Sequence, residues 1–67
     1  MVTVNINFKK EKFPQGTSLY QMIEIMNIPT SGIAVAINRQ VINRSLWRGT
    51  FLQENDSVII IKATQGG

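Results

Sequence analysis

Near its end the chain carries Ser57-Val58-Ile59-Ile60-Ile61-Lys62, a β-branched run that is apolar on both of the faces a strand would present. Too short for an independent helix, it reads as a strand in the middle of a sheet, and the rest of a 67-residue chain must supply its neighbours. At this length there is room for one domain, and a single small core barely outweighs the entropy of ordering the backbone. Apolar residues in regular patterns are therefore read as structural first.

Those patterns lie on both sides of a helix. Val2, Val4, Ile6 and Phe8 alternate with Thr3, Asn5 and Asn7, the period of a strand with one buried face. Lys9, Lys10 and Glu11 read as a polar turn, after which Lys12 and Phe13 begin a short return strand that Pro14 and Gly16 end. Thr17 or Ser18 can cap the helix that follows, and Ser18 with Gln21 matches a capping box. Leu19, Met22, Ile23 and Met26 form one helical stripe, read as packing, and Asn27 and Pro29 supply its stop.

Beyond the loop of Thr30, Ser31 and Gly32, a strand over Ile33–Ile37 places Ile33, Val35 and Ile37 on one face and alanines on the other. Asn38 and Arg39 suit a tight reversal into Val41 and Ile42, because Asn tolerates positive φ. Residues 43–50 read as irregular, with Trp47 either closing the bottom of the core, the favoured reading, or standing exposed as a partner anchor. Phe51 and Leu52 form a brief apolar anchor, and residues 53–56 make the next turn. The order is ββαββ plus a final central strand, an α+β pattern in which one main helix covers one face of a mixed sheet. It predicts a β-grasp roll over residues 1–63, with first and last strands side by side, and a flexible tail over 64–67, which holds nothing to bury.

The residue inventory excludes much chemistry. With neither Cys nor His, the chain has no thiol or imidazole nucleophile, base or metal ligand. Four carboxylates, Glu11, Glu24, Glu54 and Asp56, remain, too few and too scattered to predict an autonomous active site, a bound cofactor or a metal. The net charge of +3 is mild, and the Lys9, Lys10 and Lys12 cluster reads as a solvated hairpin, so no nucleic-acid partner is expected. Phe8, Phe13 and Phe51 are assigned to the core, which leaves no stacking surface for bases. Neither an export signal nor a membrane span is indicated, and a chain without cysteine suits the cytoplasm.

Against this background the terminal Gly66-Gly67 pair stands out. At average glycine usage two terminal glycines arise in roughly one chain in 200, so position matters more than frequency. A tail without Cβ atoms can enter a narrow channel on a partner and leaves its terminal carboxylate unhindered. The plainer alternative is a frayed terminus without function.

Ala36-Ile37-Asn38-Arg39-Gln40-Val41-Ile42, then Arg44 and Trp47, then Glu54-Asn55-Asp56-Ser57-Val58 and the closing Gly66-Gly67 together resemble the ThiS family of thiamin-biosynthesis sulfur carriers, which are ubiquitin-like. The resemblance spans essentially the whole chain. It implies that the Gly67 carboxylate is adenylated by a ubiquitin-activating-like enzyme using ATP and Mg, and is then converted by a persulfide donor system to a thiocarboxylate. Thiazole synthase receives the sulfur. Thr64, Gln65 and Gly66 would be the segment the partner recognises. The chain departs from the family at Asn43, where a proline often precedes the arginine, and at Thr64-Gln65, where small apolar residues are usual. The alternatives are a sulfur carrier subunit for molybdopterin synthesis, a non-catalytic interaction module, and a modifier joined to lysines.

Two further expectations concern docking. If Val58 and Ile60 face the helix, Ile59 and Ile61 face away and offer an apolar patch to a partner. Arg44 and Arg48 either pair with Glu54 or Asp56 or, for Arg44 above all, meet that partner. The free chain is expected to be a monomer.

Overall fold

The computed structural model describes residues 1–62. Its last strand, β5 (Ser57–Lys62), lies at the centre of a five-stranded sheet, as a run apolar on both faces requires. On one side β5 runs parallel to β1 (Val2–Ile6), which pairs with the antiparallel β2 (Lys9–Phe13). On the other it runs antiparallel to β3 (Ile33–Ile37), which carries the two-residue β4 (Gln40–Val41). The spatial order is β2-β1-β5-β3-β4, the β-grasp arrangement of the ubiquitin-like fold. These pairings make β2 and β3 run parallel on opposite sides of the central pair, so the chain between them must cross over, and α1 (Leu19–Ile25) provides the crossover. Among the described residues no helix is long and apolar enough to cross a membrane.

Local chemistry starts the helix where the sequence places it. The Ser18 hydroxyl accepts from the Gln21 N–H at 3.1 Å, and the Gln21 side chain accepts from the Ser18 N–H at 2.9 Å, completing the capping box. Asn27, at φ 57°, turns the chain out of the helix. Leu19, Met22 and Ile23 are fully buried against Val4, Val35 and Val58 from three strands. Burial of this kind is worth about 1.5–3 kcal/mol for each large side chain. Met26 packs partly against the same core.

Several expectations need correction. The first hairpin does not turn at Lys9, Lys10 and Glu11: the reversal is Asn7-Phe8, at φ 48° and 71°, and the lysines belong to the return strand. That two-residue turn breaks the alternation one residue after Ile6, so Phe8 leaves the buried face and is 89% exposed. Residues 43–50 are not irregular but form a 3-10 helix, Arg44–Gly49, started by Asn43, whose side chain accepts from the Ser45 N–H. It delivers Trp47 to the core, where the indole N–H donates to the Ile42 carbonyl at 3.0 Å. Phe51 is half exposed because its segment is pinned by backbone to the helix entrance: the Leu19 N–H donates to the Thr50 carbonyl and the Leu52 N–H to the Thr17 carbonyl. Of the three phenylalanines only Phe13 is buried.

Finally, the acids do not hold the arginines. Glu54 accepts from the Thr3 N–H, and Asp56 accepts from the Asn38 side chain and the Gln53 N–H. Arg44 reaches the Thr30 hydroxyl, and Arg48 lies over the Tyr20 ring at 4.2 Å.

Candidate functional site

Strand alternation decides what β5 offers to a partner. Val58 and Ile60 turn inward and are buried, whereas Ile59 is half-buried and Ile61 is 59% exposed on the opposite face. The pairing register sets Ile59 opposite Ala36 and Ile61 opposite Ala34, and Ala36 in turn opposite Val41. Alanine is too short to cover an isoleucine beside it. The result is a continuous apolar surface on β5, β3 and β4, with Val41 72% exposed at its margin.

Across β5 the same outer face changes character. Asn5 is paired with Ser57 and Lys10, and Thr3 with Lys12, so the β1–β2 half is polar and cationic where the β3–β4 half is apolar. A partner seated across β5 would meet an apolar half and a basic half. Arg44, expected to share in docking, sits at the start of the 3-10 helix, with its guanidinium directed to Thr30.

The backbone of β5 is gripped from both sides by asparagines. At its start the Ser57 N–H donates to Asn38 Oδ1 at 3.0 Å, the Asn38 N–H donates to the Ser57 carbonyl at 2.8 Å, and Asn38 Nδ2 donates to Asp56 at 3.0 Å. Further along, the Ile60 N–H donates to Asn7 Oδ1 at 2.8 Å and Asn7 Nδ2 donates to the Ile60 carbonyl at 3.3 Å. Both asparagines occupy the first left-handed position of a two-residue turn. The Asn38 turn is legible in the sequence. The Asn7 turn, with the same spacing between strands, was obscured by Phe8, whose apolar character prolongs the alternation by one apparent step.

Around this strand, among the described residues, no group of three or more His, Cys, Asp or Glu side chains is placed to hold a metal. A groove of about 500 Å³ opens beside the end of β5, lined by Ile6, Asn7, Met26, Ile28, Ile60 and Lys62 among others. Its polar groups are an amide, two lysines and Glu11, with no acid–base pair or nucleophile of the kind a catalytic pocket needs. The positions that carry the terminal chemistry in the sequence reading, Thr64, Gln65, Gly66 and Gly67, lie outside the described residues.

Comparison with known proteins agrees with this architecture. The model of the ThiS family matches residues 3–67. The sulfur carrier protein ThiS of Escherichia coli (strain K12) is 27% identical over 52 residues, which cover 78% of this chain and 79% of that protein. Among solved structures, the crystal structure of the thiamine biosynthesis protein ThiS from Geobacter metallireducens superposes with a TM-score of 0.80 at 17% identity, covering 98% of this chain and all of that one. The solution structure of a thiamine biosynthesis protein from the same organism gives 0.76 at 16% identity, covering 98% of this chain and 88% of the other.

Proposed function

The chain belongs to the ThiS family, and on that premise we propose that it is a sulfur carrier in thiamine biosynthesis whose working group is the Gly67 carboxylate. The observation that carries this reading is the path of β5. The strand is held at the centre of the sheet and runs to Lys62, directly ahead of the Ala63-Thr64-Gln65-Gly66-Gly67 segment, through which the family match extends.

Chemical sense follows from what the chain lacks. A carboxylate is a poor electrophile, and a protein with neither His nor Cys has few means of activating one. Family members are carriers acted on by an adenylating enzyme, and the catalytic groups belong to that partner. The Gly67 carboxylate attacks the α-phosphate of ATP, Mg-bound in the partner enzyme, and pyrophosphate leaves. The outer sulfur of a persulfide then displaces AMP from the acyl adenylate to give an acyl disulfide with the donor, and a thiol reductant breaks its S–S bond, leaving the thiocarboxylate and the donor's free thiol. Thiazole synthase is the acceptor in this proposal, and the reactions take place in the cytoplasm, which a cysteine-free chain suits. The carrier is monomeric between partners.

Docking is assigned to the outer face of β5, with Ile59 and Ile61 as anchors beside Ala34, Ala36 and Val41, and with Arg44 as an outlying contact. Thr64, Gln65 and Gly66 thread the partner's channel, where the absence of a Cβ at the last two positions lets backbone approach backbone. The test is ATP–pyrophosphate exchange by the adenylating enzyme in the presence of the full chain and of a chain lacking Gly67. Exchange supported only by the full chain is expected. Equal exchange with both would show that Gly67 is not the activated residue.

A further inference from the structure

We propose that Asn7 is a positioning residue for the carboxylate-bearing tail, its side-chain amide holding the far end of β5 so that the tail leaves the domain from a fixed point. The inference rests on the carrier reading above. It begins from a mismatch in length: β1 pairs with β5 only through Asn5–Ser57 and Ile6–Val58, whereas β5 continues to Lys62. Backbone bonds from the Asn5 N–H to the Asp56 carbonyl and from the Asn7 N–H to the Val58 carbonyl complete the ladder on that side. In a parallel pair the next groups to face β1 belong to Ile60, where β1 has already turned away. The Asn7 carboxamide takes both of them, an N–H at 2.8 Å and a carbonyl at 3.3 Å.

A side-chain amide here does the work of a peptide group and extends the ladder by one residue. Without it, the β1 side of β5 would be released after Val58, and β3 alone would hold Ile59, Ile60, Ile61 and Lys62. Because β3 still pairs with β5 as far as Lys62, the strand stays in the sheet, but an end held from one side only swings more freely and widens the range of positions from which a partner must collect the carboxylate, an entropic cost that falls on binding. The role is separable from folding because Asn38 grips the other end of β5 in a similar way, at Ser57 and ten residues from Gly67.

The experiment compares Asn7→Gly with Asn38→Gly in the full chain. Glycine accepts the left-handed conformation of both turns, so each variant loses its amide while the turn remains possible. Adenylation kinetics and amide hydrogen exchange are measured together. For Asn7→Gly the expected result is faster exchange at Ile60 and a KM raised about three- to tenfold, the range of about one net hydrogen bond, with kcat unchanged. Asn7→Asp, which keeps an acceptor for the Ile60 N–H but offers its carbonyl no donor, falls between. Asn38→Gly lowers stability without raising KM. An unaltered KM for Asn7→Gly, or an equal rise for Asn38→Gly, would overturn the positioning role while leaving the carrier reading standing. Failure of the unaltered chain to be adenylated would overturn both.

Discussion

The two hairpins are built on the same turn and used differently. Each places Asn first and a larger residue second in left-handed conformations, Asn7-Phe8 in one and Asn38-Arg39 in the other, and each turns its Asn amide onto β5. The second hairpin is tied inward: Asn38 holds the buried Asp56, and the chain beyond β4 winds into the 3-10 helix that carries Trp47 into the core. The first is left outward, with Phe8 at its tip and a return strand rich in lysine along the sheet edge. Lysines on an exposed edge discourage pairing with other chains. One hairpin thus serves the interior, and the other leaves side chains free at the end of the sheet near which β5 exits.

That contrast breaks first at Trp47. Trp47→Ala is expected to cost about 3–5 kcal/mol, combining lost burial with a cavity, which in a domain this small is most of its stability. Urea denaturation reads the loss. Asp56→Ala removes the acceptor for both Asn38 Nδ2 and the Gln53 N–H, and about 1–3 kcal/mol should go with it, measured in the same way.

How much of this contrast the sequence already contained depends on the type of signal. Hydrophobic period exposed α1 and the inward residues of β1 and β3, because burying a face leaves a repeat, whereas β5 showed as an unbroken β-branched run. The Ser18–Gln21 cap was legible because it is a local hydrogen-bond pattern. Phe8 was misread because alternation does not mark where a strand stops, and an apolar residue in the turn looks like one more inward position. Residues 43–50 carry no repeat, since a 3-10 helix of one or two turns buries a single residue, Trp47. The Asn7 grip could not be read at all, for it joins residues 53 apart in sequence. The outer patch was half legible: Ile59 and Ile61 follow from alternation, but Val41 enters it only through the β3–β4 register.

Smaller effects sharpen the same comparison. Ile61→Asp, on the outward face of β5, should change stability by less than about 1 kcal/mol while weakening capture by the adenylating enzyme about tenfold, a loss that titration calorimetry would resolve. Undiminished affinity would remove the outer patch from the account of docking. Phe8→Gly is expected to be the mildest change, raising stability by up to about 1 kcal/mol as a left-handed conformation loses its Cβ, partly offset by the freer unfolded chain. Thermal unfolding would detect it, and marked destabilisation would mean that Phe8 is held by contacts its exposure does not reveal.

The central claim is that this chain carries sulfur on its final carboxylate. Intact mass spectrometry tests it most directly, on the full chain and on a chain lacking Gly67, each incubated with ATP, the adenylating enzyme and a persulfide donor. The account predicts a mass gain equal to one sulfur replacing one oxygen, confined to the full chain and located at Gly67 by fragmentation. An unchanged mass with an enzyme proven active on another carrier, or a gain that survives removal of Gly67, would contradict it.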